Sequence, residues 1–341
     1  MKTTFARSAF TILILTVATA GSAWSQHYHV IKTYKLGGDG GWDYLTLDNS
    51  SRHLYISRST RVMVVDADSG KQIAEIADTP GVHGIALASE LGKGFTSNGR
   101  EGMVSVFDMK TLKTLNKVKV GDNPDAILFD PATQRVFTFN GRSGDSTAID
   151  ADKGSVVGTI KLGGKPEFAV SDGKGELFVN LEDKNELLAL DPEKLAVKAR
   201  WPLAPCDGPS GLAFDPANRR LFSGCDKLMA IMDADTGKLV AKLPICDGVD
   251  ATAYDQETKL AFASCHDGKM TVIRAESPDK FSVVENVTTQ EGARTMALDS
   301  KNHQVFTVTA KFGTPPAPTA QNPHPRPSVL PDSFVLLLVG K

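Results

Sequence analysis

The chain has 341 residues, 41% hydrophobic and 7% aromatic, with 38 Lys plus Arg against 40 Asp plus Glu. This ordinary globular composition excludes disordered, collagen-like and small disulfide-scaffold classes, and a chain of this length buries a core that needs no metal to hold it. A formal net charge of −2 gives no general attraction for phosphate backbones.

Residues 1–25 read as an export signal. Lys2 and Arg7 flank a polar start, Ala9 to Ala20 is apolar but short for a membrane span, and Ala23-Trp24-Ser25 offers a small-x-small cleavage pattern before Gln26. Removing Lys2 and Arg7 from the 38 basic residues leaves 36 against 40 acidic ones, a net charge near −4. No cysteine near the cleavage point suits a lipid anchor, and no later apolar run reaches the roughly 18 residues of a spanning helix. A periplasmic or secreted, oxidising location is expected, and the mature chain is expected to be a monomer.

From residue 26 onward one unit repeats. Phe or Tyr recurs at 55, 95, 137, 178, 222, 262 and 306, each within a short apolar run. A step of about 40 residues equals four short strands and four turns, one propeller blade. Eleven or twelve residues before each aromatic stands Asp43, His83, Asp125, Glu167, Ser210, Asp250 or Arg294, and each opens an innermost strand A. In the third copy, strand A ends at the Asp130-Pro131-Ala132-Thr133 turn, B holds Val136 to Phe139 and C holds Ser146 to Ile149. The turns Asp66 to Gly70, Asp150 to Gly154 and Asp233 to Gly237 space carboxylates as a calcium loop does. Without the Glu at position twelve they are read as tight C-to-D hairpins.

The chain ends supply a check on the count. Ser333 to Leu338 has the place of strand C in copy seven, and His29 to Leu36 the place of a strand D. The ends therefore complete one blade, a 3+1 closure that leaves no unpaired inner edge. The predicted architecture is all-β: residues 26–341 as a single seven-bladed β-propeller, with a proline-rich insertion over 312–331.

Four features fall on one face of this ring. The residues opening strand A surround one mouth of the central channel. Arg100 and Arg142 follow Asn-Gly in the B-to-C loops of adjacent blades, Arg58 lies close to the corresponding place in the first blade, and three guanidinium groups there would clamp a carboxylate or phosphate. The insertion carries seven prolines, with His324 and Arg326 as polar contacts to a ligand or partner. Cys206 and Cys246 precede strand A of blades five and six, and Cys225 and Cys265 end strand B of those blades, 19 residues later. Three connectivities are possible. Repeat equivalence favours Cys206 with Cys225 and Cys246 with Cys265, and a thiolate metal site is the alternative. No Cys-x-x-Cys-His, nucleophile elbow, phosphate loop or His-Glu-x-x-His is present.

Strand B cores such as Leu177-Phe178-Val179-Asn180, the Gly-Asp-Asn-Pro, Gly-Gly-Lys-Pro and Asp-Gly-Pro segments before strand A at 121, 163 and 207, and the Asp-x-x-x-Gly hairpins together resemble the YVTN-repeat, YncE-like family of exported seven-bladed propellers. The resemblance spans residues 27–341, although the literal Tyr-Val-Thr-Asn is absent. It implies kinship with lactonases, for which Asp43, Asp125, Glu167 and Asp250 with His83 would hold a divalent cation such as calcium, and with propellers carrying redox cofactors. It also raises single-stranded DNA binding. The acidic net charge and the inward aromatics of strand B speak against a nucleic-acid partner. The favoured reading is a binding module for a small ligand or protein partner on the mouth face. A metal-dependent, lactonase-like hydrolase is the alternative, and hydration of the channel by the carboxylates is the plain structural account.

Overall fold

A computed structural model describes Met1, Thr3 and residues 27–319, 325 and 327–341. The signal reading of residues 1–25 lies, apart from Met1 and Thr3, outside the described residues, as do His324 and Arg326. Among the described residues, 28 strands form seven antiparallel four-stranded sheets, and the helical content is two 3-10 turns, Ser89–Leu91 and Glu182–Lys184. Blade three is typical, with strand A at Pro124–Asp130, B at Arg135–Asn140, C at Asp145–Asp150 and D at Ser155–Lys161. A β-propeller is thus the fold, as the 40-residue period predicts.

The periodic aromatics form the wall between blades. Tyr55, Phe95, Phe137, Phe178, Phe222, Phe262 and Phe306 are all at most 1% exposed. They pack on neighbouring sheets, as Tyr55 does against Val82, Ile85 and Phe107 of the second blade. Each contributes about 2–3 kcal/mol by burial, so the repeat in sequence is a repeat in core energy. In five blades strand A ends in a buried aspartate whose carboxylate caps the following turn: Asp130 accepts from the Thr133 amide and hydroxyl, and Asp215 and Asp255 accept from the amides two residues on. The calcium-like segments are turns: Asp150 accepts from the amides of Asp152 and Lys153, and Asp233 from those of Asp235 and Thr236. Gly237 adopts φ +68°, and a Cβ there would lie 2.1 Å from the Trp201 ring, so only glycine fits this turn.

The ring closes as its ends predict. His29–Lys35 pairs antiparallel with Val335–Gly340, from His29 opposite Gly340 to Lys35 opposite Val335, with one bulge between Val30 and Lys32. It is the outer strand of a sheet continued by Gln304–Thr309 and Met296–Asp299. Tyr28 reaches further, its ring edge-on to Phe262 of blade six at 5.3 Å.

Both cysteine pairs are disulfides, Cys206–Cys225 and Cys246–Cys265, and no free cysteine remains among the described residues. The thiolate-metal alternative is therefore set aside. Each bridge closes a 19-residue separation, which restricts the unfolded chain by about 3 kcal/mol. Replacing Cys246 and Cys265 together by Ala should lower the urea midpoint by an amount equal to about 2–4 kcal/mol without altering the far-UV spectrum. A midpoint that does not move would show that the bridge constrains nothing.

Candidate functional site

Seven strand A entrances converge on one mouth, but they do not enter alike. In blades two, three, four and six, strand A begins one residue before the side chain in question, at Val82, Pro124, Pro166 and Val249. The pairing register with strand B shifts immediately afterwards, between Val82 and Ile85, Pro124 and Ile127, Pro166 and Ala169, and Val249 and Ala251. His83, Asp125, Glu167 and Asp250 all sit in these bulges, which free their side chains from strict alternation and re-aim them at the channel. Asp43, Ser210 and Arg294 instead lie two residues before strands that open at Leu45, Leu212 and Met296.

The convergence makes a charged floor. His83 Nδ1 lies 2.6 Å from Asp43 Oδ2 and 3.8 Å from Asp125 Oδ1. Arg294 donates to Asp250 at 2.5 Å and stands 4.0 Å from the second oxygen of Asp43. Lys165 pairs with Glu167 at 2.7 Å and is shared with Glu182. The hydroxyl of Ser210 donates to the Asp250 carbonyl, 3.1 Å away. Burial and the neighbouring Asp125 push Glu167 up to about 8, while burial, opposed by Arg294 and reinforced by Asp43 and Asp125, pushes Asp250 up to about 7. Asp125 rises to about 6, chiefly through burial, despite His83. His83 is itself raised: burial opposes the charge, but the bond to Asp43 and the charge of Asp125 outweigh it.

Two aromatic residues beneath this floor had no place in the sequence argument. Tyr44 of blade one stacks on Phe168 of blade four at 4.6 Å. Those blades are not neighbours, so the contact crosses the channel. The Tyr44 hydroxyl is closed to solvent and has no hydrogen-bond partner among the described residues. Burial and the charges of Asp125, Glu167, Asp43 and Asp250 hold it well above the usual phenol range.

The arginines divide. Arg100 and Arg142 are exposed in their loops, and their guanidinium groups have no partner among the described residues. Arg58, expected beside them as a ligand clamp, is instead fully buried. It stands three residues after its blade's aromatic, the last place in strand B, where Asn98 and Asn140 stand in blades two and three; the exposed arginines come two residues later. Its guanidinium lies 3.6 Å over the Phe334 ring and donates to the carbonyls of Asp39 at 2.6 Å and Gly40 at 3.1 Å. Burial lowers it to about 10. Cys225, Cys265 and Thr309 occupy the same register in blades five, six and seven. The cysteines bridge to Cys206 and Cys246, and Thr309 donates to the Glu291 carbonyl at 2.6 Å. In blades one, five, six and seven this position ties down the loop before strand A, whereas Asn98 and Asn140 bond within their own blades, so Arg58 is an anchor. Substituting Arg58 by Met should cost about 2–4 kcal/mol in thermal or urea unfolding, because loop carbonyls lose their donors. A variant with unchanged stability would show that solvent replaces them.

Beside the charged floor, the insertion builds a cleft of about 1150 Å³ lined by Trp42, His266, Glu291, Arg294, Phe312 and insertion prolines. Phe312 bridges to Val329 across the insertion, and its ring lies 6.1 Å from Trp42 and 6.5 Å from His266. The wall is therefore aromatic and proline-rich, and Arg294 joins it to the floor. Arg100 and Arg142 do not line this cleft.

No protein-family model and no curated protein matches the chain. Solved structures do. A chain of the Kuenenia stuttgartiensis hydrazine synthase superposes with a TM-score of 0.70 at 17% identity, covering 80% of this chain and 94% of that one. A chain in a crystal structure of the mitotic checkpoint complex superposes with a TM-score of 0.73 at 13% identity, covering 98% and 99%. At these identities the likeness is one of fold: this chain is a seven-bladed β-propeller, and the YncE-like resemblance is not matched by any family model.

Proposed function

We propose that this chain is an exported binding module that takes a small ligand at the channel mouth, seating a flat apolar body in the cleft and a polar head against the floor. The observation that carries this reading is the junction itself: Trp42 and Phe312 form one wall of a cleft whose far end is Arg294, which is bonded in turn to Asp250 of the ring. Ligand sites are typically concave and apolar with a few convergent polar groups, and this volume suits a small molecule. Export fits the two disulfides, which persist in oxidising compartments. No helix among the described residues is long and apolar enough to cross a membrane. Glu291 lines the cleft while Arg294 is already engaged by Asp250 and Asp43, so the head should be an ammonium group in metal-free protein.

Tryptamine and indole-3-acetate share one planar body and carry opposite heads. By calorimetry on chelator-treated protein near neutral pH, tryptamine should bind more tightly, and Phe312→Ala should weaken it at least tenfold, about 1.4 kcal/mol. Loss of neither probe's binding in Phe312→Ala, or no binding of either at millimolar concentration, would overturn the assignment of the cleft.

A further inference from the structure

The four carboxylates of the mouth are not equally satisfied. Asp43 is bonded to His83, Glu167 to Lys165 and Asp250 to Arg294, whereas the Asp125 carboxylate accepts no hydrogen bond from the described residues. It faces His83 Nδ1 at 3.8 Å, beyond hydrogen-bond reach, although it is half-buried in a bulge that points it into the channel. Its charge is answered at a distance by His83, Lys165 and Arg294, but no hydrogen bond fixes the carboxylate. The unpartnered Tyr44 hydroxyl, sealed within the field of the same carboxylates, is a second polar group that the protein leaves without a partner. Donor atoms of Asp43, His83 and Asp125 all lie within 4.8 Å of one another.

We propose that Asp43, His83 and Asp125 bind one divalent transition-metal ion of the zinc type at the channel mouth. This rests on the reading of the mouth as the ligand site and names what its floor holds. Donors about 2.0–2.1 Å from one ion lie about 2.9–3.4 Å apart at octahedral to tetrahedral angles. Two of the separations, 2.6 and 3.8 Å, bracket that range and the third is within 4.8 Å, so side-chain adjustments of up to about 1.5 Å admit the ion. One imidazole with two carboxylates is a borderline donor set that suits zinc and its neighbours, whereas calcium seeks six or more oxygens. Glu167 and Asp250, expected from the sequence as ligands, are engaged by Lys165 and Arg294 and serve the site differently. Arg294 stands 4.0 Å from the oxygen of Asp43 that His83 does not use, which holds that carboxylate in place from outside. Three protein ligands would leave a coordination position open, to which an anionic ligand head could bind.

Calorimetry of chelator-treated full-length mature protein with zinc alone, and absorption spectroscopy with cobalt alone, test the inference. One equivalent of zinc should bind, and cobalt should give visible bands of an imidazole-oxygen site. His83→Ala and Asp125→Asn should each lower affinity 10- to 100-fold, and Asp125→Asn, which keeps size and hydrogen-bonding capacity, guards against a fold lost in the histidine variant. His29→Ala, on the exposed closing strand, should change nothing. No zinc binding, calcium binding in its place, or affinity indifferent to both ring variants would overturn the site. Tryptamine binding to metal-free protein reports the cleft separately, so either reading can fail alone.

Discussion

Mature protein lacking residues 27–36 should aggregate on purification, or unfold at least about 10 °C lower than the intact chain in a thermal scan. The deletion removes His29–Lys35, the outer partner of Val335–Gly340, and lays bare the backbone of the apolar run Val335-Leu336-Leu337-Leu338-Val339. Such an edge templates pairing between chains. The deletion also withdraws Tyr28 from its contact with Phe262, and Tyr34 from the cluster shared by blades one and seven. At about 25 cal/mol per Å² of apolar surface these losses amount to on the order of 5 kcal/mol, before the loss of the backbone ladder that joins the chain's two ends. In a protein of this size each kcal/mol moves the melting temperature by about 2 °C or somewhat less. A truncated protein that stays monomeric in sedimentation and melts with the intact chain would show that closure is dispensable.

The fold was legible because it is written in burial. A core aromatic recurs in all seven blades, a turn-capping aspartate ends strand A in five, and a glycine supplies left-handed backbone to the C-to-D hairpin in three, and these are local requirements. The mouth was legible only in outline. Repeat spacing placed Asp43, His83, Asp125, Glu167, Asp250 and Arg294 around one opening, but the bulges that aim four of them inward leave no mark in spacing, since bulged and unbulged entrances alike stand eleven or twelve residues before the blade's aromatic. Arg58 was misplaced by two positions: it belongs to the register of Asn98, Asn140, Cys225 and Cys265, where a side chain points into the blade, and not to the loop register of Arg100 and Arg142. Comparing what stands three residues after each aromatic would have exposed this, because arginine there matches the cysteines in anchoring the loop. Tyr44 and Phe168 were missed for a different reason. Their contact joins blades one and four across the channel, and no periodicity within a blade encodes which residues meet over an axis.

The second large effect is the pH dependence of the metal-free protein. Glu167 and Asp250 are held well above their unfolded values, to about 8 and about 7, mainly by burial. Folding therefore favours their protonated forms, and the stability they contribute is fully present below about pH 4 and is lost as pH rises through about 7 to 8. The raised His83 acts in the same direction. Opposing groups titrate elsewhere. Burial works against it, but hydrogen bonds from Ser50 and Ser51 hold Asp48 below its usual range, and the bond from Arg52 does the same for Asp299. Their contribution disappears only as pH falls through values below 4. Between about pH 5.5 and 8.5 the mouth should dominate, and chelator-treated protein should be more stable at the acid end by several kcal/mol, on the order of 1.4 kcal/mol per unit shift for each group. Lys165, Arg294 and Asp43 face these carboxylates and share in the outcome, so the control is a variant of one carboxylate alone. Glu167→Gln, which keeps the size of the side chain and removes its titration, should flatten the upper part of the profile and raise stability at about pH 8.5. Urea midpoints measured across that window would contradict the account if intact protein were equally stable at both ends, or if Glu167→Gln kept the full slope.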